Sequence, residues 1–386
     1  MLPMLSDLTV IEISNSIATS YAGRLLADLG AQVIALEPVQ GNRLRHDGNL
    51  APHLDEYLSA NKLSAAMDYD AAGDARLAAS ICERADIVLF DRSVPYFDRW
   101  LLRECVYKRS DVVLTVVTPW GLESPYSHLC EDELLLFAIS GIASVTPEEP
   151  ENQTVERPMQ LYGHQAQFVG GLTAAVASMQ GWFATRKSHE ALLLDVAVLD
   201  ALTSMPIISQ AAVFAGHVPP KAPSERPQTV PRGFLRCRDG YVYTQGGDDN
   251  WRGWAQLLGR PEWEQPPLSE PSGREQRWSE LNDAVQAWLE GQSNAGVYRA
   301  LQANGITCFP VNSIGQVVAN SQVVARDIFE SIGGADGREF RVPRTPFRLL
   351  KADFEAVPDV SHALGADLER VQTMLVVHGS VALAEG

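Results

Sequence analysis

The sequence predicts an α/β protein of two domains, on three observations. The N-terminal half alternates apolar runs of strand length with helical repeats, the C-terminal half carries a hairpin signal followed by amphipathic helices, and 386 residues exceed one usual domain. We expect a large Rossmann-like domain with a parallel sheet, 1–205 completed by the return segment 326–386. After a linker, 206–225, a smaller α+β domain is expected over 226–325.

The N-terminal elements have the pattern of β-α-β units. The run Leu8 to Ser14 has strand length, the next segment has helical spacing up to Gly30, and "QVIALEP" follows as a second strand. A third round ends in a strand from Ile87 to Phe90, and "DVVLTVVTPWG" gives a fourth. Because parallel strands require crossovers of this length, a parallel sheet is predicted.

The pattern changes in the second half of the chain. Small residues dominate from Gly171 to Phe183, as in a buried helix that its neighbours approach closely. Two strand-like runs flank Asp239-Gly240, a hairpin turn signal, and "WRGWAQLLG" and "RWSELNDAVQAWLEG" have the pattern of amphipathic helices. These elements predict the smaller α+β domain.

Composition argues against several partners. The chain has 31 Lys and Arg against 48 Asp and Glu, a formal charge of −17, without a visible basic patch, so neither nucleic acid nor an anionic membrane is expected as a partner. No apolar run approaches the roughly 18 residues of a membrane span, and the start "MLPMLSDLTVIEIS" lacks signal-peptide features, so a cytoplasmic protein is expected.

Common catalytic motifs are missing from the sequence. Five scattered cysteines without a CxxC pair indicate neither a disulfide framework nor a zinc site, and no metal is expected. The motifs GxGxxG, GxxxxGK[ST], GxSxG and HExxH do not occur, which disfavours a dinucleotide enzyme, a P-loop enzyme, a serine hydrolase of that type and a zinc peptidase.

Six segments resemble, in order and spacing, the class III CoA-transferase family, which includes formyl-CoA and carnitine CoA-transferases and alpha-methylacyl-CoA racemase. They are "VIEISNSIATSYAGRLLADLGAQVIALEP", "SANKLSAAMDYD", "RADIVLFDRSVPYFDR", "GLTAAVASM", "GFLRCRDGYVYTQGG" and "ANGITCFPVNSIGQVVANSQVVARDIF". The resemblance implies an interlocked dimer, coenzyme A or acyl-CoA bound as substrate on the large domain, and an active site near the dimer interface.

The resemblance also locates the family's catalytic Asp, which is an acyl acceptor in the transferases and an acid/base group in the racemases. The residues that match the surrounding pattern A-D-aromatic-x-x-G-x-x-A are Ala166, Phe168, Gly171 and Ala174. Gln167 occupies the Asp position, and an amide is neither ionised nor nucleophilic at neutral pH. Because no Asp or Glu occurs from Gln160 to His189, an alignment shifted by a few residues supplies none.

Three residues are the candidate catalytic groups. Gln167 either donates a hydrogen bond to a thioester carbonyl or only packs, and His164 is either a base or a structural histidine. Glu131, with Asp132 and Glu133, either stabilises a helix start or turns one carboxylate into the pocket.

The resemblance assigns further residues to coenzyme binding, and several depart from the family pattern. These residues are Ile17, Ala18, Met67, Asp91, Arg92, Arg99, Gly246 and Gly247. Thr19-Ser20 replace the usual Gly-Pro, and Asp91-Arg92 replace Asn-Phe. Arg99 either pairs with a phosphate or forms a surface ion pair, and Gly246 and Gly247 either belong to a lid or end the hairpin.

The family resemblance, together with Gln167 at the Asp position, leaves three possible functions. The first is the Asp-less subunit of a CoA-transferase complex, in which a homologous partner supplies the Asp; the chain then forms a heteromer, and otherwise a homodimer. The second is a stand-alone acyl-CoA enzyme without a covalent intermediate, such as a lyase, an isomerase or a direct acyl transferase. The third is a non-enzymatic acyl-CoA binding protein.

Overall fold

The computed structural model describes residues 3–46, 53–91, 109–129, 132–148, 157–158, 161–217, 229–333, 337–347 and 362–377. The chain divides into two compact units. Unit 1 comprises Met1–Glu148, Arg157–Ala215 and Ile328–Gly386, and unit 2 comprises Glu149–Glu156 and Gly216–Asp327. Among the described residues, no helix is both long and apolar enough to cross a membrane.

Unit 1 is built on a six-stranded, fully parallel sheet. Its strands are β1 (Thr9–Ile13), β2 (Gln32–Pro38), β3 (Lys62–Met67), β4 (Ile87–Asp91), β5 (Val113–Thr118) and β8 (Leu192–Ala197). They are ordered β3-β2-β1-β4-β5-β8. Two antiparallel pairs complete the unit: β6 (Pro147–Glu148) with β7 (Arg157–Pro158), and β12 (Phe329–Gly333) with β13 (Glu339–Pro343). The predicted α/β fold with a parallel sheet is confirmed.

Helices cover both faces of this sheet. The helices of unit 1 are α1 (Ile17–Asp28), α2 (Leu54–Ser59), α3 (Ala72–Cys82), α4 (Glu133–Ile139), α5 (Ile142–Val145), α6 (Gln165–Ser188), α7 (Val198–Thr203), α8 (Ile207–Phe214) and α15 (Leu368–Val377). Every residue of β4 and β5 is buried, as expected for strands covered on both sides. One apolar core lies on the face covered by α1 and α6, and a second lies on the face covered by α3 and α15.

The small residues of α6 allow close packing, as the sequence predicted. A Cβ on Gly181 would lie 3.0 Å from side-chain atoms of Val113 and Leu194, and one on Gly171 would lie 2.4 Å from the carbonyl oxygen of Ala18. Because larger side chains would separate the backbones at these points, α6 packs tightly on the sheet and on α1.

Unit 2 is a smaller α+β body. Its sheet has the order β11-β10-β9, with β9 (Gly233–Cys237), β10 (Gly240–Thr244) and β11 (Cys308–Pro310). Its helices are α9 (Trp251–Leu257), α10 (Pro271–Gln276), α11 (Trp278–Leu289), α12 (Asn294–Ala303), α13 (Ile314–Val318) and α14 (Ser321–Ala325). β9 pairs with β10 through a two-residue turn at Arg238-Asp239, one residue before the predicted Asp239-Gly240, and Gly240 pairs with Cys237. Trp251, Trp254 and Trp263 lie in its core.

Two segments differ from the sequence-based expectation. The predicted linker 206–225 contains α8, which belongs to unit 1. The buried helix begins at Gln165 rather than Gly171, so Gln167 lies in the first turn of α6 and not in a loop before it.

Candidate active site

The strand order places a crevice at the carboxyl ends of β1 and β4. These strands are neighbours in the sheet, while their connections run to opposite sides, and ligands of open α/β sheets bind at such a switch point. The loop after β1 meets the end of β4 here, where the Asn15 N–H donates to Asp91 Oδ2 over 3.4 Å. Asn15 Oδ1 also accepts from the backbone N–H of Arg43 at 3.0 Å. Asp91 is therefore placed at this edge, although its side chain is almost fully buried.

The N-terminus of α1 points into the same edge of the sheet. Ser16 caps the helix, since its hydroxyl accepts from the Thr19 N–H at 3.2 Å, and the first turn carries no acidic side chain. The side chain of Ile17 packs in a small apolar cluster with Leu44 and Leu58. The partial positive charge of a helix N-terminus favours an anionic or carbonyl oxygen beside this turn.

Gln167 joins the first turns of α6 and α1. Its side chain is 4% exposed, and its Oε1 accepts a hydrogen bond of 3.2 Å from the backbone N–H of Ala18. One turn further along α6, Gly171 permits the close approach of the helices, and Phe168 packs edge-on against Tyr21 at 4.8 Å between ring centroids. The amide of Gln167 is thus built into the contact between α1 and α6.

Glu133 places a carboxylate beside Gln167. Its Oε1 accepts a hydrogen bond of 2.6 Å from the backbone N–H of Ala166, whereas its buried Oε2 has no hydrogen-bond partner among the described residues. Burial raises the pKa of Glu133, opposed by the backbone N–H groups of Ala166 and Gln167. A carboxyl group held in this way can exchange a proton nearer to neutral pH than a solvated one.

Asp132, in contrast, begins the helix. Its side chain accepts from the N–H groups of Leu134 and Leu135 as the N-cap of α4. Asp132 therefore caps α4, whereas Glu133 lies at the candidate site. Sequence reasoning named Glu131 as the site carboxylate, and Glu131 lies outside the described residues.

The other predicted residues are scattered. His164 is the N-cap residue of α6, half-buried and without a side-chain capping bond. Arg92 and Arg99 lie outside the described residues. Gly246 and Gly247 lie in unit 2, where Gly246 has a local reason to be glycine, since a Cβ would lie 2.8 Å from the carbonyl oxygen of Pro231.

The side chain of Met67 does not reach the candidate site. It is 1% exposed in the apolar core on the α3 face of the sheet, with Leu63 and Ala65. Alternation along a strand sends these odd-numbered residues of β3 to the face opposite Lys62 and Ser64. The burial of this side chain gives the assignment of Met67 to coenzyme binding no support, and that assignment stays a prediction.

An apolar cavity of about 260 Å³ lies on another face of α6. Gln165 and Val169, one helical turn apart, line it together with Phe137 and Leu202. Gln167 projects from the opposite side of the same turn, because residues two apart on a helix face away from each other. The cavity and the Ala18–Gln167 contact therefore lie on different sides of α6.

No group of three or more His, Cys, Asp or Glu side chains is arranged for a metal ion in the part of the chain that the structure describes.

Comparison with known proteins agrees on one family. A sequence model of CoA-transferase family III matches residues 5–367. The succinate–glutarate CoA-transferase of Agrobacterium fabrum is 24% identical over 364 residues, covering 89% of each chain. The succinyl-CoA–D-citramalate CoA-transferase of Chloroflexus aurantiacus is 21% identical over 361 residues, covering 89% of this chain and 87% of its own.

Solved structures share the fold. A CaiB/BaiF family protein from Brucella suis superposes with a TM-score of 0.82 at 20% identity, covering 97% of this chain and 100% of its own. A Mycobacterium tuberculosis protein superposes with a TM-score of 0.77 at 21% identity, covering 95% of this chain and 98% of its own.

Proposed function

The chain belongs to CoA-transferase family III, and we propose that it binds acyl-CoA thioesters as the Asp-less subunit of a CoA-transferase complex. A homologous partner with an intact Asp supplies the nucleophile. The observation that carries this proposal is Gln167, which holds the Asp position and is buried with its oxygen on the Ala18 N–H.

The chemistry explains why a partner is needed. In transfer through a carboxylate, an oxygen attacks the thioester carbonyl, the C–S bond breaks, the coenzyme A thiolate leaves and a mixed anhydride forms. Gln167 has no carboxylate for the first bond, and its amide oxygen accepts the Ala18 N–H instead. What this chain contributes is the oriented N-terminus of α1 and the polar groups around it.

Exposed apolar side chains in unit 1 support an assembly of subunits. They include Leu172, Val176 and Phe183 on α6, and Ile207, Ile208 and Phe214 on α8, of which Ile208 is 84% and Phe214 is 90% exposed. Clustered exposed apolar side chains mark interaction surfaces. A homodimer or a heteromer with the Asp-containing homologue would cover them.

The relatives suggest the first substrates to test. Their names describe coenzyme A transfer among succinate, glutarate and D-citramalate, which are all carboxylic acids that form thioesters. Succinyl-CoA is accordingly the first donor, with glutarate as acceptor.

The test is intact-protein mass measurement of the chain incubated with succinyl-CoA. The wild-type chain alone is expected to show no covalent adduct, and Gln167→Asp is expected to gain a succinyl or coenzyme A adduct. Gln165→Asp places the same carboxylate on the exposed neighbouring position of α6 and is expected to gain none. An adduct on the wild-type chain alone would overturn the proposal, as would failure to restore coenzyme A exchange with any Asp-containing homologue encoded beside it.

Glu133 favours a second candidate function, a stand-alone enzyme that moves a proton next to the thioester carbonyl. Its buried Oε2, which has no hydrogen-bond partner in the described part of the chain, and its raised pKa suit general acid/base catalysis. The chain alone would then exchange the α-hydrogen of an acyl-CoA with deuterium from D₂O.

The measurement is mass or NMR detection of deuterium in recovered acyl-CoA. Glu133→Gln should abolish the exchange. Asp132→Asn retains an N-cap residue of equal quality and removes only the smallest cause of the raised Glu133 pKa, so exchange should persist. Absence of exchange with the wild-type chain rejects this second function.

A further inference from the structure

A buried carboxylate interrupts the apolar strand β1 directly beneath the first turn of α1. Glu12 is 2% exposed, and its Oε1 accepts from the hydroxyls of Ser14 at 2.9 Å and Ser20 at 3.1 Å. A Cβ on Gly23 would lie 1.9 Å from Glu12 Oε2, so α1 approaches the carboxylate as closely as a glycine allows. α1 therefore packs directly against the side chain of Glu12.

Lys62, the first residue of β3, completes the cluster. Its ammonium is 2.7 Å from Glu12 Oε2 and donates to the carbonyl oxygen of Ser20 at 2.7 Å and to the hydroxyl of Ser20 at 3.1 Å. The ammonium therefore donates two hydrogen bonds to Ser20 and forms an ion pair with the carboxylate of Glu12. Burial alone raises the pKa of Glu12 and lowers that of Lys62, and their mutual attraction opposes both shifts.

Ser20 connects the ion pair to the candidate site. It lies in the first turn of α1, two residues after Ala18. A helix end frays unless its first turn is held, because its first N–H groups have no partners within the helix. Here Glu12 and Lys62 stabilise the first turn of α1 through their hydrogen bonds with Ser20.

We propose that Glu12 and Lys62 are positioning residues for the site: they fix the first turn of α1 and thereby keep the Ala18 N–H on Gln167 Oε1. Neither residue touches the substrate in this role. The consequence for coenzyme A affinity rests on the proposed function, whereas the effect on Ala18 does not.

The main variant removes the pair without leaving one charge buried alone. In Glu12→Gln/Lys62→Met both charges are gone, since truncating one partner of a buried pair is far more damaging than replacing both. Ser20→Ala removes the hydroxyl that contacts Glu12 and Lys62 and keeps the ion pair. It tests the proposal if the double variant does not fold. The control Arg24→Met/Asp28→Asn removes the 2.8 Å ion pair of the later turns of α1.

Native-state hydrogen exchange of the Ala18 amide is the readout. We expect exchange at least about fivefold faster in Glu12→Gln/Lys62→Met, the equivalent of one net hydrogen bond, and also faster in Ser20→Ala. The control and the amides of β5 should keep wild-type rates. Unchanged exchange at Ala18, or acceleration by the same factor throughout unit 1, overturns the proposal, because a merely structural pair would act on the whole fold.

Titration with coenzyme A separates this proposal from the proposed function. A raised Kd together with faster Ala18 exchange supports both. Faster Ala18 exchange with an unchanged Kd supports the positioning role and counts against a coenzyme site at α1. A raised Kd without faster exchange at Ala18 overturns the positioning role.

Discussion

Substituting Gly171 by alanine tests whether the contact of α1 with α6 holds the site. A Cβ at this position would lie 2.4 Å from the Ala18 carbonyl oxygen, and ordinary contacts begin at 3.4 Å, so the helices must separate by about 1.0 Å (3.4 − 2.4). The hydrogen bond from the Ala18 N–H to Gln167 Oε1 is already 3.2 Å long. A separation of this size would break it.

Three contributions set the expected magnitude. Overpacking costs about 1–3 kcal/mol, and the broken hydrogen bond costs about 1 kcal/mol. Replacing a helical glycine by alanine stabilises the folded state by at most about 1 kcal/mol through helix propensity. The net destabilisation of Gly171→Ala is therefore about 1–3 kcal/mol, which lowers Tm by about 2–4 °C per kcal/mol in a unit of this size.

The assay is thermal and urea denaturation, with Gly73→Ala as the matched control. Gly73 lies in α3, and nothing lies within 4 Å of a Cβ built there, so the control should be neutral or stabilising by at most about 1 kcal/mol. Equal stability of Gly171→Ala and Gly73→Ala would refute the close approach of the two helices. A destabilised Gly171→Ala with an unchanged Ala18 amide environment by NMR would refute the link to Gln167.

Three further predictions concern buried polar groups. Burial raises the folded-state pKa of Glu133 above 4.5. The free energy of unfolding of the wild type should therefore fall relative to that of Glu133→Gln as pH rises through the folded-state pKa, and the difference between the two proteins should be constant below pH 4.5. Denaturation measured at a series of pH values tests this. Ser178→Ala deprives the buried Thr115 hydroxyl of its 2.7 Å partner and should cost about 1–3 kcal/mol, more than Thr115→Val/Ser178→Ala, as measured in urea. Arg274 is 1% exposed and donates to three backbone oxygens, so Arg274→Lys should weaken unit 2 by about 2–3 kcal/mol, seen as faster hydrogen exchange there with unit 1 unchanged.

Much of the fold was predictable because its signals are local. The apolar runs of β1, β2, β4 and β5 and the helices between them report burial on both faces of a sheet, and the small residues of α6 report a close helix contact. The start of α6 was misjudged, because "HQAQF" carries no strong capping residue, while the tertiary contacts of Ala166 and Gln167 extend the helix to Gln165.

The candidate site was predictable in part. The resemblance alone assigned Gln167 to the Asp position and Ala18 to coenzyme binding, and both assignments stay predictions; the structure shows that these two residues are in contact. Glu133 was visible within an acidic run, but nothing in the run tells which carboxylate caps the helix and which turns inward. Glu12 offered a weak signal, a charge inside an apolar strand, without indicating its partner.

The sequence by itself determined the order of strands and helices and the family, and by resemblance it assigned Gln167 to the position of the family's Asp, which stays a prediction. The tertiary structure decided what that residue does instead: its amide oxygen meets an N–H that lies 149 positions away in the chain. It also brought Lys62 to Glu12 and set Glu133 against α6. Periodicity along the chain reports which face of an element is buried, whereas the partner of a buried polar group depends on which elements the fold brings side by side.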